Sequence, residues 1–211
     1  MHVERTVRHD ALISRAGILT VVAIGAIVAT LCDANHVLTG TITYGEGAYT
    51  GQPWWVLPEF AASFLLMVLG YLFLVDHLPD GIETAESRAP GTARAFLETL
   101  LAFVLVYLIS GFGNQTARPL SWLFYSLFLV RWFFTYERAW LMILGVLMAA
   151  GGVAGEAMVA SAGLAAYRHV DFFHVPLWLG GLYLHGAFAL RESMRCFVYT
   201  GTPAIGREAT A

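Results

Sequence analysis

The chain has no lysine: all twelve of its basic residues are arginine, and they are scattered through a sequence with a net charge of −3. That distribution excludes a polybasic nucleic-acid surface, and the missing lysine points to a GC-rich, bacterial coding source. Cysteine is nearly absent too. Cys32 and Cys196 cannot build a disulfide framework, and the segments below place them at opposite membrane faces, too far apart to be bridged. Charge is scarce: 13% of residues are charged against 58% hydrophobic, which is too apolar for a domain whose main solvent is water. Catalytic signatures are also missing. There is no Gly-x-Ser-x-Gly elbow, phosphate loop, His-Glu-x-x-His or Cys-x-x-Cys, and the seven histidines lack ligand spacing on one helix face. The reading is a protein that is not an enzyme, with no metal site.

What is present is long apolar runs. Six stretches, 13 to 33, 53 to 75, 94 to 112, 117 to 136, 139 to 161 and 172 to 193, approach the length of about 20 helical residues that crosses a hydrocarbon layer of about 30 Å. None shows the period-two alternation of a barrel strand, so in lipid each must be a helix to satisfy its own backbone. The fold class is all-α, a polytopic membrane protein with six transmembrane helices. Arg5, Arg8 and Arg15 precede the apolar run from Ala16 to Leu31, but the flanking residues suit neither a cleavage site nor a lipoprotein signal, so the run is kept as a helix.

Arginine placement sets the orientation. Only Arg118 and Arg168 fall on one side of this six-span layout and the other arginines fall on the opposite side, which makes both termini cytoplasmic. The chain divides into a cytoplasmic N-terminal segment (1–12), a six-helix transmembrane domain (13–197) and a short cytoplasmic tail (198–211). Helices four and five are joined by barely a turn at Glu137 and Arg138 and must be antiparallel neighbours.

Ionisable groups inside the spans carry the functional information, because charge in hydrocarbon is expensive. Glu59 and Glu156 each lie about 8 to 9 Å below the outer boundary at a rise of 1.5 Å per residue. Two carboxyls at matching depth suit one polar cavity; taken singly, each could be protonated or bonded to a neighbouring helix. Asn114 and Gln115 end helix three near the same depth and could bind hydroxyls or cap the helix. Trp55 anchors the opening of helix two, and Trp178 lies on helix six. On the cytoplasmic side Arg131 reads as a snorkelling side chain, and His185 as a packing histidine or a proton relay. On helix five, Gly151 and Gly155 form a small-xxx-small pair suited to close packing or self-association.

The run Pro53-Trp54-Trp55-Val56-Leu57-Pro58, with its helix closing on Val75-Asp76-His77-Leu78, resembles the second membrane helix of the Insig (insulin-induced gene) family, which opens Trp-Trp-Val-Pro-Pro and closes Asp-Arg-His-Leu. Residues 15 to 19 resemble that family's Arg-Gly entry to helix one. Phe134-Thr135-Tyr136-Glu137-Arg138 resembles its Thr-Phe-Asp-Arg turn, and Asp171-Phe172-Phe173-His174-Val175 with Trp178-Leu179 resembles its opening of helix six. The resemblance spans residues 13 to 197. It implies an amphiphile-binding six-helix scaffold, in eukaryotes a resident of the endoplasmic reticulum that binds oxysterols and retains the escort protein Scap and HMG-CoA reductase. Glu137 stands where the family has a required Asp, and Leu120 and Glu156 stand where it has Gln.

These features combine into a non-enzymatic lipid-binding protein with no cofactor beyond its bound lipid. A sterol-like or diacylglycerol-like ligand would sit between the helices, its head meeting Trp55, Glu59, Asn114, Gln115, Glu156 and Trp178. Glu137, Gly151 and Gly155 would face partners, whether copies of the chain or another membrane protein, and no nucleic acid is implicated. The location is the plasma membrane if the source is bacterial and the endoplasmic reticulum if it is eukaryotic. The rival is a proton-coupled transporter or intramembrane enzyme using Glu59, Glu156 and His185. A third reading is an interaction module acting through helix five.

Overall fold

The structure, a computed structural model, describes residues 12–45, 51–79, 82, 90–113 and 117–200. Among these, six helices dominate: α1 (Arg15–Leu38), α2 (Val56–His77), α3 (Ala93–Phe112), α4 (Ala117–Phe133), α5 (Arg138–Ser161) and α6 (Trp178–Ser193). Serine and threonine set two of the starts, with Ser14 accepting from Gly17 N at 2.9 Å and Thr92 accepting from Ala95 N at 3.2 Å, each satisfying an amide that the helix leaves free. α1, α2, α3 and α5 are long and apolar enough to cross a membrane. α4 and α6 are shorter at 17 and 16 residues, although α6 runs on into a five-residue π-helical stretch, Met194–Val198.

Two small antiparallel pairs tie off the ends of the bundle. β1 (Leu12–Ile13) pairs with β4 (Tyr199–Thr200), and β2 (Ile42–Tyr44) pairs with β3 (Ala165–Tyr167). The first pair brings residues 12 and 200 to the same end. It also shows that the expected tail, 198–211, begins as ordered structure rather than as a loose segment. The rest of that tail and residues 1–11 lie outside the described residues.

Four boundaries depart from expectation. α2 starts at Val56 instead of 53, which places Glu59 in its first turn. α1 continues to Leu38, so Asp33, expected at the start of the outer loop, lies inside the helix. α6 starts at Trp178 instead of 172. The intervening residues form a tight loop with a Phe172–Val175 bridge and left-handed Phe173 and His174, and Pro176 follows, where a proline cannot supply a helix amide. α4 stops at Phe133, short of residue 136, and Glu137 takes a left-handed conformation (φ 53°) before α5 begins.

α6 is the central helix: it packs on α5, α3 and α4, while α1 packs on α2 and α3. Every α6 residue except Tyr183 and Arg191 is buried. Two glycines permit close approaches. A Cβ on Gly17 would collide with the backbone carbonyl of Phe197, so α1 can lie against the π-helical stretch only because that position is bare; a Cβ on Gly152 would stand 2.6 Å from the Tyr183 ring. Large apolar side chains such as Leu19, Leu31, Phe73, Leu101 and Trp122 remain exposed, as expected of helices whose outer faces meet lipid. Cys32 is buried and both cysteines are free.

Candidate functional site

A cavity of about 360 Å³ lies inside the bundle, walled by α1, α2, α3, α5 and α6, within the size range of small-molecule sites. α2 and α5 touch near the β1–β4 end, where Tyr71 meets Trp140 edge-on at 5.1 Å. Beyond that contact both helices line the cavity, with exposed Leu66 on one and exposed Leu147, Gly151 and Gly155 on the other. The walls are overwhelmingly apolar. Among the described residues, no arginine or histidine lines them.

Its carboxyls gather toward the β2–β3 end, while the Tyr71 and Ser193 hydroxyls line the other. Glu59, in the first turn of α2, and Glu156, five residues before the end of α5, both line the cavity. Glu156 accepts two phenolic hydrogen bonds at 3.0 Å, from Tyr183 on Oε1 and from Tyr167 on Oε2. Glu59 makes no side-chain hydrogen bond among the described residues, which leaves its carboxyl available to an occupant. Burial, and then the Glu156 carboxylate, push the Tyr167 hydroxyl well above the usual tyrosine range, so it stays a proton donor at any physiological pH.

A third carboxyl backs this end. Asp33, 3% exposed, accepts from Tyr44 Oη and from Gln52 Nε2, both at 2.7 Å, and Gln52 also donates to the Thr30 carbonyl at 3.1 Å. Burial and the Asp33 carboxylate raise the Tyr44 pKa, and its ring packs edge-on against Trp55 at 5.6 Å. Asp33 thus fastens β2 and the entry to α2 onto α1 and lies close enough to interact electrostatically with Glu59 and Glu156. Asp33→Leu is expected to strand the Tyr44 hydroxyl and weaken the hold on Gln52, costing about 1–3 kcal/mol. Thermal melting in detergent and faster proteinase K cleavage between β2 and α2 would register the loss.

The other expected site residues fall elsewhere. Trp178 is fully buried in the core, edge-on to His36 at 5.7 Å, and does not line the cavity; Trp55 packs on Tyr44 rather than on the lumen. Both corrections have one cause: Trp178 opens a helix surrounded on all sides, and Trp55 precedes the first turn of α2. Asn114 and Gln115 lie outside the described residues. Glu137 is 6% exposed and forms an ion pair with Arg191 at 3.8 Å within the chain, so its carboxylate is not presented to a partner. Gly151 and Gly155 line the cavity, and a Cβ on either would meet nothing within 4 Å; they do not mediate close packing inside the monomer. His185 is buried between helices, accepting from Arg131 Nη1 at 2.8 Å and donating from Nε2 to the Phe124 carbonyl at 3.0 Å. That arrangement assigns a neutral packing histidine remote from the lumen.

Asp33, Tyr44, Tyr167 and Tyr183 were not singled out as site residues from sequence. Their signal was the chemistry of Glu156 itself: a carboxyl held in a membrane interior needs hydroxyl or amide donors at its own depth.

The fold and cavity define a polytopic helical membrane protein built around an intramembrane chamber with an acidic and tyrosyl end. The chain matches no protein-family model and no curated protein. Among solved structures, it is similar to the crystal structure of MvINS, a mycobacterial Insig homologue from Mycobacterium vanbaalenii, with a TM-score of 0.70 and 22% identity over 87% of this chain and 95% of that one. A cross-linked trimer of MvINS is similar at a TM-score of 0.68, with the same identity and coverage. The chain therefore has an Insig-like fold, shared over nearly the whole length of those structures.

Proposed function

We propose that this chain is a non-enzymatic lipid-binding scaffold that holds a sterol-like or diacylglycerol-like amphiphile in the chamber, its hydroxyl-bearing head at Glu59 and Glu156 and its apolar body along α1, α2, α3 and α5. One observation carries the reading: among the described residues, the polar lining consists of carboxyls and hydroxyls with no cation. Such a site offers acceptors to a neutral polyol and nothing to pair with a phosphate. The likeness to the Insig homologue supports the same reading. His185, engaged at both ring nitrogens away from the chamber, favours holding a ligand over relaying protons through Glu59, Glu156 and His185.

The test is purification in mild detergent followed by organic extraction and lipid mass spectrometry. Neutral hydroxyl lipids are expected to be enriched over their share of the membrane and depleted at least about ten-fold in Glu59→Leu, equivalent to about 1.4 kcal/mol. Recovery of bulk phospholipid alone, in membrane proportions, would sink the proposal. The arginine distribution supports cytoplasmic termini, and the trimer of the mycobacterial protein supports self-association. A bacterial source would place the chain in the plasma membrane, and a membrane-protein partner remains part of the proposal.

A further inference from the structure

At the end opposite the cavity's carboxyls, not every arginine among the described residues has an acid to pair with. Arg191 is held by Glu137 and Glu192 at 3.8 and 2.9 Å, and Arg195 by Glu192 at 3.2 Å. Arg131 has no carboxylate partner among the described residues. Its guanidinium lies 4.2 Å from the Phe188 ring centroid, donates to neutral His185 at 2.8 Å and is close enough to Arg191 to be repelled by it. A half-buried guanidinium that meets an aromatic face, a neutral acceptor and a like charge is short of an anion.

Its neighbour across the α4–α5 corner is in the same condition. Arg138 forms no ion pair among the described residues; its guanidinium lies 5.0 Å from the Phe133 ring centroid and its Nε donates to the Thr135 carbonyl at 3.3 Å. Trp132 Nε1 donates to the Arg138 carbonyl at 2.8 Å, which ties the end of α4 to the start of α5 and puts Arg131, Trp132 and Arg138 in one corner. Phe133, Phe134 and Tyr136 around them are 55%, 79% and 80% exposed. Arg131 lies two residues from the end of α4, about 3 Å along the axis, and Trp132 and Tyr136 are of the two aromatic types that gather at the headgroup level. We propose that the α4–α5 corner is a binding site for the phosphate of an anionic glycerophospholipid, with Arg131 and Arg138 as its cationic contacts. The planar fork of arginine suits phosphate oxygens, and the membrane surface is the source of phosphate at that level. The site is separate from the chamber and selects the opposite chemistry, an anionic head instead of a neutral one.

The full chain, delipidated and held in a neutral detergent, would be titrated by native mass spectrometry with phosphatidylglycerol, phosphatidylcholine and inorganic phosphate. Phosphatidylglycerol is expected to bind at least about five-fold more tightly than phosphatidylcholine, with roughly a five-fold contribution from each arginine. Arg138→Gln and Arg131→Lys should each reduce that preference, the lysine variant because it keeps the charge and loses the fork, while Arg118→Gln at the opposite end leaves it unchanged. Arg138 is exposed, so its variant tests the site independently of any folding defect at Arg131. Equal binding of the two phospholipids, full preference surviving in Arg138→Gln, or inorganic phosphate binding as well as the lipid would each overturn the proposal. None of these outcomes depends on what occupies the chamber.

Discussion

Glu156→Leu is expected to destabilise the protein by about 2–4 kcal/mol, because it strands two phenolic hydroxyls at once. Tyr167 and Tyr183 both donate to this carboxylate, and a buried donor left without an acceptor costs about 1–3 kcal/mol. Glu156→Gln retains one acceptor oxygen and brings an amide that must find its own acceptor, so its loss should be about half as large. Melting of the purified proteins in detergent would check the order wild type, Gln variant, Leu variant. Equal melting of all three would show that the tyrosines do not depend on this side chain. The same series should lower recovery of bound hydroxyl lipid, since the Glu156 carboxyl and Tyr183 line the chamber and Tyr167 holds that carboxyl in place. Lipid loss in the Gln variant without a matching loss of stability would separate a ligand contact from a structural one.

Gly17→Leu carries the largest expected penalty outside the chamber. A Cβ at this position meets the Phe197 carbonyl, which is backbone and cannot swing away as a side chain can. α1 would have to leave the π-helical stretch and disturb the Leu12–Ile13 pairing with Tyr199–Thr200. The cost is expected to be about 3 kcal/mol or more, at the upper end for overpacking, seen as a loss of monodisperse protein on size exclusion. Gly70→Leu is the contrasting substitution: a Cβ there meets nothing within 4 Å, so the added side chain displaces cavity volume instead of backbone. Its melting temperature should stay close to wild type while lipid recovery falls.

Much of the architecture was legible because it depends on local composition. An apolar run has to be helical in lipid wherever its neighbours lie, so the six helices, four of them of membrane-crossing length, and a short link between α4 and α5 could be read directly. Glu59 and Glu156 stood out for a similar reason: depth along a helix is counted from its end at a fixed rise, and both counts came out alike. The ends of the helices were less legible. α1 runs past Asp33 because that carboxyl finds Tyr44 and Gln52, donors supplied by a segment that folds back from later in the chain.

Which faces meet was not a local property. These helices are apolar nearly all round, so periodicity does not mark an inward side, and an aromatic such as Trp178 reads the same at a lumen, in a core or against lipid. Only the packing of α6 at the centre buries Trp178, turns Tyr183 toward Glu156, and leaves Gly151 and Gly155 on the chamber wall rather than in a helix contact. Composition thus determined that the chain is a helical membrane protein with two acids set near helix ends. Tertiary structure decided that those acids share a chamber and that Glu137 and His185 are engaged inside the protein, because the order of helices around the bundle and the rotation of each about its axis come from contacts between distant segments.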